Sequence, residues 1–132
     1  KLEEKTATPT TLEKQQAEEL ETLIDMKTLF TLLKEHDISL KKEETSLANM
    51  VFYTPEPTCV TAKNTGYKGR IGIYEVLEIT DEISDSFTEK TSEEDIKKLA
   101  KKQGVISMIY DGIIKAKQGI TTIDEVLRVT RE

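Results

Sequence analysis

The sequence predicts an α+β fold that is mostly helical, with a short β ribbon flanked by helices. Residues 71–77, Ile-Gly-Ile-Tyr-Glu-Val-Leu, are the longest run of strand-forming residue types in the 132-residue chain. The other strand candidate is residues 50–53, Met-Val-Phe-Tyr, which Pro55 and Pro57 bring to an end. Most of the remaining sequence carries helix start signals, stop signals and apolar residues at helical spacing.

The N-terminal part of the chain predicts one long helix from Thr10 to about Glu35. Thr10 and Glu13 have the spacing of a capping box. The apolar stripe shifts around the helix near Asp25, which predicts a bend or break there. Packing of these stripes into a core is favoured over their use as an exposed partner-binding helix. Residues 37–49 are polar and predict a loop, and residues 59–65 predict a turn-rich connection.

The C-terminal part predicts four helices. Thr80 caps a short one, which carries Ile83 and Phe87 one turn apart. Three acidic residues, 93–95, open the second, and Gly104 ends it. The third spans about 105–118 and ends at Gly119. The fourth starts at Thr122 with Glu125 completing a capping box. The residues expected in the core from the last two helices are Ile109, Ile113, Ala116, Ile123, Val126 and Leu127.

Composition excludes several classes of protein. The net charge is −6, with 25 acidic against 19 basic residues, which argues against a general nucleic-acid surface or an anionic-membrane surface. No apolar run approaches the length of a membrane span, and the first residues lack the apolar core of a signal peptide. Cys59 is the single cysteine, so no internal disulfide can form. The expectation is a soluble cytoplasmic protein.

A Gly-x-x-Gly turn with two cations immediately precedes residues 71–77. Gly66 and Gly69 flank Lys68, and Arg70 follows. The stretch is no phosphate-binding P-loop, since the Gly-Lys-Ser/Thr ending is absent and a strand rather than a helix is expected next. An RNA-clamping loop of the KH type is disfavoured by that strand and by the net charge, which leaves a tight turn where glycine permits positive φ.

The sequence shows no catalytic constellation. Lys68 and Arg70 are either solvated charges or cations that pair with carboxylates across a protein interface, and Tyr74 is a third interface candidate. His36 is the only histidine and is expected to be a solvated surface residue.

Two ordered motifs resemble one protein family. The first is the run 65–77, Thr-Gly-Tyr-Lys-Gly-Arg-Ile-Gly-Ile-Tyr-Glu-Val-Leu. The second is Asp111-Gly112 followed by residues 119–130, Gly-Ile-Thr-Thr-Ile-Asp-Glu-Val-Leu-Arg-Val-Thr. Both are similar to the C-terminal region of the bacterial type II secretion and type IV pilus extension ATPases. The resemblance is strong from about residue 51 to 132 and weaker before it.

The resemblance implies that the chain is the C-terminal part of a RecA-like ATPase domain without its nucleotide-binding core. Residues 66–79 would be the strand that joins the RecA-like sheet. ATP and Mg²⁺ serve the full-length family, but its Walker A and Walker B motifs lie upstream, so this chain should not hydrolyse ATP alone. No cofactor and no catalytic residue is expected within it.

The implied setting is a hexameric motor at the cytoplasmic face of the inner membrane. The partners would be the rest of the ATPase, neighbouring ring subunits and inner-membrane platform proteins, with no nucleic acid and no direct membrane span. Pilus assembly, secretion and DNA uptake are left open. The alternative is a free-standing adaptor with no attached ATPase, and the length of the natural reading frame separates the two.

The resemblance also implies a degenerate zinc module. Family members that keep two Cys-x-x-Cys pairs bind zinc tetrahedrally. Alignment on the motif puts the four ligand positions at Glu3, Thr6, Cys59 and Ala62, so one ligand is retained and no zinc is expected. Natural loss and engineered replacement of the cysteines are both left open. The predicted division is a zinc-module remnant with a helical arm over residues 1–63, and the strand with a helical subdomain over residues 64–132.

Overall fold

The structure is a computed structural model that describes residues 1–3, 7–61, 63–77, 79–86, 92–102 and 105–131. Within these residues the chain forms two strands and six α-helices, which confirms the α+β, mostly helical prediction. The elements in order are β1 (Ala7–Thr11), α1 (Lys14–Leu23), α2 (Met26–Glu35), β2 (Val51–Pro55), α3 (Asp81–Ser86), α4 (Glu93–Lys102), α5 (Met108–Lys117) and α6 (Ile123–Thr130), with a 3₁₀ turn at Leu47–Asn49 before β2.

The sheet is a two-stranded antiparallel ribbon of β1 and β2. Thr10 lies opposite Phe52, and Pro9 lies opposite Tyr53. The prediction of a strand at residues 50–53 is confirmed, although the strand starts one residue later and extends to Pro55. β1 was not predicted, because the helix was expected to start at Thr10 and Pro9 argues against a central strand. A ribbon has two open edges, so a proline without an N–H is tolerated there.

One apolar core unites the ribbon with four helices. Phe52 of β2 is 1% exposed and packs in a cluster with Leu20 of α1, Leu29 and Leu33 of α2, and buried residues of α5 and α6. The core therefore joins side chains from both parts of the predicted division at residues 63 and 64. That division itself stays a prediction.

The helical arm breaks at Asp25, as the shift of its apolar stripe predicted. The Asp25 side chain accepts hydrogen bonds from the Thr28 backbone N–H at 2.9 Å and caps α2. The predicted start at Thr10 is wrong, because that residue lies in β1. Glu13 is the N-cap of α1 and forms a capping box with Gln16.

The C-terminal helices follow their predicted signals closely. Thr122 caps α6 by accepting from the Glu125 backbone N–H, which confirms the predicted cap. The Glu125 carboxylate accepts from Arg128, so the predicted capping box is only half formed. The helix expected from residue 105 begins only at Met108, after the N-cap Ser107. Phe87 and Gly104 lie outside the described residues. The residues expected in the core from α5 and α6 are all buried, namely Ile109, Ile113, Ala116, Ile123, Val126 and Leu127.

The strand predicted at residues 71–77 is wrong. The segment forms no strand, and its large side chains are open to solvent, with Tyr74 65% and Val76 76% exposed. Its residue types suit a strand, but a strand needs a hydrogen-bonding neighbour. The ribbon of β1 and β2 does not extend to it, and the helical arm leaves Tyr74 and Val76 uncovered.

A buried ion pair ties the loop before β2 to α5. The side chains of Glu44 and Lys117 are 3% and 7% exposed and contact each other. Glu44 also accepts from the backbone N–H groups of Val51 and Lys41, at 2.7 and 2.8 Å. Burial alone would raise the pKa of Glu44, but the Lys117 and backbone hydrogen bonds outweigh it and hold that pKa below its usual value.

Candidate functional site: the glycine turn and its surroundings

The glycine turn, residues 64–70, is held in shape by two left-handed glycines. Gly66 has φ +77° and Gly69 has φ +70°, which confirms the predicted need for positive φ. The Asn64 side chain accepts from the Gly66 N–H at 2.9 Å. A Cβ on Gly66 would lie 2.4 Å from the Pro55 Cβ, so Gly66 is also required by close packing against the end of β2.

The first residues of the chain pair with this turn. Leu2 forms an antiparallel bridge with Tyr67. The Glu3 N–H donates to the Gly66 carbonyl at 2.9 Å, and the Lys68 N–H donates to the Lys1 carbonyl at 2.9 Å. Leu2 is 2% exposed, and its N–H donates to the Ile120 carbonyl at 2.8 Å. The turn is thereby fixed between residues 1–3 and the start of α6.

Tyr67 joins the turn to the N-terminus of α6. Its hydroxyl lies 3.0 Å from the hydroxyl of Thr122, the residue that caps α6. Burial raises the pKa of the Tyr67 phenol, which therefore stays protonated as a hydrogen-bonding group. The two sequence motifs, separated in the chain, meet at this contact.

A shallow groove runs from the turn along α6. It has a volume of about 250 Å³. Apolar lining comes from Ile71, Ile73 and Val129, the last 46% exposed. Arg128 also lines the groove and forms a paired contact with Glu125, with Nη2 to Oε2 at 2.9 Å. The hydrogen bonds from Arg128 hold the pKa of Glu125 below its usual value.

Lys68 and Arg70 are exposed beside this groove, and neither forms an ion pair with a described residue. Lys68 is fixed only through its backbone, and Arg70 lines the groove. The two cations are thus presented next to apolar surface.

Tyr74, the third interface candidate, lies four residues after the turn and contacts Asp111 and Lys115 of α5. Its N–H donates to Asp111 Oδ2 at 2.8 Å, and the Lys115 ammonium lies 4.8 Å from the centre of its ring. The ring is otherwise solvent-exposed. Turn, groove and Tyr74 together make an exposed surface of cations and apolar groups, suited to contact with another polypeptide.

The predicted zinc positions form no ligand cluster in the described part of the chain. Cys59 is exposed with a free thiol, and Glu3 lies beside the turn through its backbone. Thr6 and Ala62 lie outside the described residues. Among residues that are described, no group of three or more His, Cys, Asp or Glu side chains could hold a metal. His36 is exposed after α2, as expected.

A protein-family model matches most of the chain. The model described as type II/IV secretion system protein matches residues 15–128. The chain belongs to this family. The match runs from α1 into α6 and includes the first motif and the second motif as far as residue 128.

Similar proteins carry names from two related machines. The chain is 37% identical over 105 residues, 75% of its length, to the type IV pilus assembly ATPase PilB of Pseudomonas aeruginosa, of which it covers 18%. It is 43% identical over 74 residues, 56% of its length, to PilB of Thermus thermophilus, of which it covers 8%. It is 42% identical over 76 residues, 58% of its length, to type II secretion system protein E of Xanthomonas campestris pv. campestris, of which it covers 13%.

The chain therefore spans less than a fifth of the length of these curated relatives. No solved structure matches the chain. In the described part, no helix is long and apolar enough to cross a membrane.

The glycine turn is visible in the sequence, but the residues that anchor it are not. Tyr67 stands out only as part of the motif at residues 65–77, because its partner Thr122 lies 55 residues away. Asp111 likewise stands out only as part of the second motif. Its hydrogen bond to Tyr74 crosses 37 residues and has no local sequence signal.

Proposed function

We propose that this chain is the C-terminal part of a hexameric motor ATPase that powers type II secretion or type IV pilus assembly. Its role is ring assembly and partner contact rather than catalysis. The observation that carries the proposal is the family match over residues 15–128, combined with coverage of only 8 to 18% of the three ATPase and secretion relatives. Such a chain is a portion of a motor subunit.

Within that subunit the chain completes the RecA-like domain. Residues 71–77 have strand-forming types and exposed apolar side chains, so they are suited to join a sheet that the upstream core provides. The upstream core supplies the ATP and Mg²⁺ sites. The working location is the cytoplasmic face of the inner membrane, against platform proteins of the machine.

Lys68, Arg70 and Tyr74 form the contact surface toward a neighbouring subunit. Two cations without ion-pair partners in the described residues lie beside apolar groove residues. Arginine and aromatic residues of this kind often dominate protein interfaces.

The natural full-length protein tests the proposal in two steps. The reading frame upstream of Lys1 must encode Gly-x-x-x-x-Gly-Lys-Ser/Thr, and a frame that begins near Lys1 would instead establish the free-standing adaptor. In the full-length protein, Lys68→Glu with Arg70→Glu should lower both the hexamer fraction and ATP turnover. The matched control is Lys27→Glu with Lys63→Glu, an equal charge change at exposed lysines outside the turn. Equal hexamer fractions in the two double variants would remove Lys68 and Arg70 from the interface.

A further inference from the structure

A groove opens between the junction of α1 with α2 and the residues that lead from α4 into α5. Its volume is about 560 Å³, which lies in the size range of ligand-binding clefts. Leu23 and Ile24 line one wall, and Ala100 and Val105 line the other. The groove is distinct from the glycine turn, since its described lining includes no residue of that turn.

Tyr110 of α5 fixes the two walls of the groove relative to each other. Its hydroxyl accepts from the Asp25 backbone N–H at 2.7 Å, and the residue packs against the apolar core. The Asp25 side chain caps α2, so the α1–α2 junction is held both by its own helix and by α5. The groove is therefore formed before anything binds, which lowers the ordering cost of binding.

The groove leaves apolar side chains uncovered. Leu23 is 53% exposed, and Ile106, which adjoins the second wall, is 36% exposed. The apolar stripe of α4 is only half-buried, namely Ile96, Leu99 and Ala100. Apolar residues that are gathered around one concave site, rather than scattered singly, mark an interaction surface.

The charges in the groove favour a cationic occupant. Glu75 lines it and accepts from the Met108 N–H at 3.3 Å, and no lysine or arginine among the described residues forms an ion pair with it. Asp25 adds a second carboxylate. The lysine of the lining, Lys97, pairs with Glu93 at 2.7 Å, which offsets its charge. Complementary charges select partners, so the groove suits an occupant with positive groups.

We propose that this groove binds a basic amphipathic helix of a partner protein. The apolar face of that helix lies against Leu23 and Val105, and a lysine or arginine lies beside Glu75. Helices that bind in grooves use apolar anchors at helical spacing in this way. A second copy of the chain fits less well, because each copy carries a net charge of −6 and the two repel. The inference goes beyond the proposed function, which assigns no role to this groove.

Titration of the natural full-length protein with two synthetic peptides tests the charge of the partner. Each peptide has about 14 residues, or four helical turns, with leucines at helical spacing and either lysines or glutamates on the polar face. Fluorescence anisotropy of the labelled peptides should show at least about tenfold tighter binding of the lysine peptide. The difference should shrink as salt is added, since salt screens exposed charges. Equal affinities, or tighter binding of the glutamate peptide, would overturn the proposal.

Two variants with matched controls test the location. Leu23→Gln removes an apolar contact and should weaken the lysine peptide about tenfold, whereas Val129→Gln, at a residue 46% exposed outside the groove, should not. Glu75→Gln keeps an oxygen acceptor for the Met108 N–H and should weaken the lysine peptide severalfold at low salt. Glu43→Gln, at an exposed carboxylate elsewhere, should leave the affinity unchanged. Parent-like affinity in Leu23→Gln or in Glu75→Gln would contradict binding in this groove.

Two further results would assign the groove to another occupant. Sedimentation of this chain that shows self-association, abolished by Leu23→Gln, would identify a second copy as the occupant and refute the proposal. A lysine peptide that binds residues 1–132 but not the natural full-length protein would show that upstream sequence covers the groove, which would refute it as well. The expected result is a chain that does not associate through Leu23 and a peptide that binds both proteins.

Discussion

Replacement of Lys117 by Met should strongly destabilise the fold, because the Lys117 side chain is buried against Glu44. The change removes the ammonium that faces Glu44, whose side chain is 3% exposed, and leaves a buried carboxylate with two backbone donors. Breaking a buried ion pair from one side typically costs about 3–5 kcal/mol. For a chain of this size, that corresponds to a fall in Tm of roughly 10–18 °C.

Urea denaturation of the parent, Lys117→Met, Glu44→Gln and the double variant forms a complete cycle. The double variant should lose less than the sum of the single changes, because it leaves no unpaired buried charge. Lys27→Met is the control, since Lys27 is an exposed residue of α2. A free energy of unfolding for Lys117→Met within about 0.5 kcal/mol of that control would refute the reasoning.

The same cycle has a defined pH dependence. The pKa of Glu44 is lowered in the folded chain, so its contribution to stability is present above the unfolded pKa and is lost as pH falls through the folded value. In Lys117→Met, burial without the ammonium raises that pKa. The deficit of the variant should therefore be largest near neutral pH and shrink in acid. A deficit that grows as pH falls would contradict the assignment.

Three further predictions concern the turn, the exposed segment and zinc. Gly66→Ala should lower the free energy of unfolding by about 1–3 kcal/mol through backbone strain, and the contact of the new Cβ with Pro55 should add to that loss. Gly69→Ala should cost only about 1–2 kcal/mol, because the space around Gly69 is open. Equal losses in urea denaturation would contradict the packing at Gly66. Val76→Lys should have the same Tm as the parent, because Val76 is 76% exposed. Ile73→Lys should lower the free energy of unfolding by about 1–3 kcal/mol, because Ile73 lines the groove along α6. Thermal melts in which Val76→Lys is the less stable variant would refute this placement. Elemental analysis of the purified chain should find far less than one zinc per molecule, and a stoichiometric value that survives dialysis against a chelator would show that other ligands replace the missing cysteines.

Local signals predicted the helices well because their determinants lie within a few residues. Asp25 and Thr122 each cap a helix by a side chain that reaches three residues ahead, which the sequence displays directly. The buried faces of α5 and α6 likewise follow from helical spacing.

Nonlocal partners explain the failures. Residues 71–77 have the composition of a strand, but no neighbouring strand in the described chain pairs with them, so composition alone gave the wrong element. β1 was missed for the converse reason, since Thr8 and Pro9 form a strand only because β2 lies opposite. Part of the site was visible in the sequence through Gly66, Lys68 and Arg70. The contacts of Tyr67 with Thr122 and of Tyr74 with Asp111 depend on the folded arrangement and were not.

Phosphate release by the natural full-length protein, measured beside this chain alone, tests the central claim most directly. We expect the full-length protein to hydrolyse ATP and residues 1–132 not to, because the proposed ATPase core with its phosphate-binding motifs would lie upstream. Turnover that copurifies with the isolated chain, or a natural protein with neither an upstream ATPase core nor activity, would contradict it.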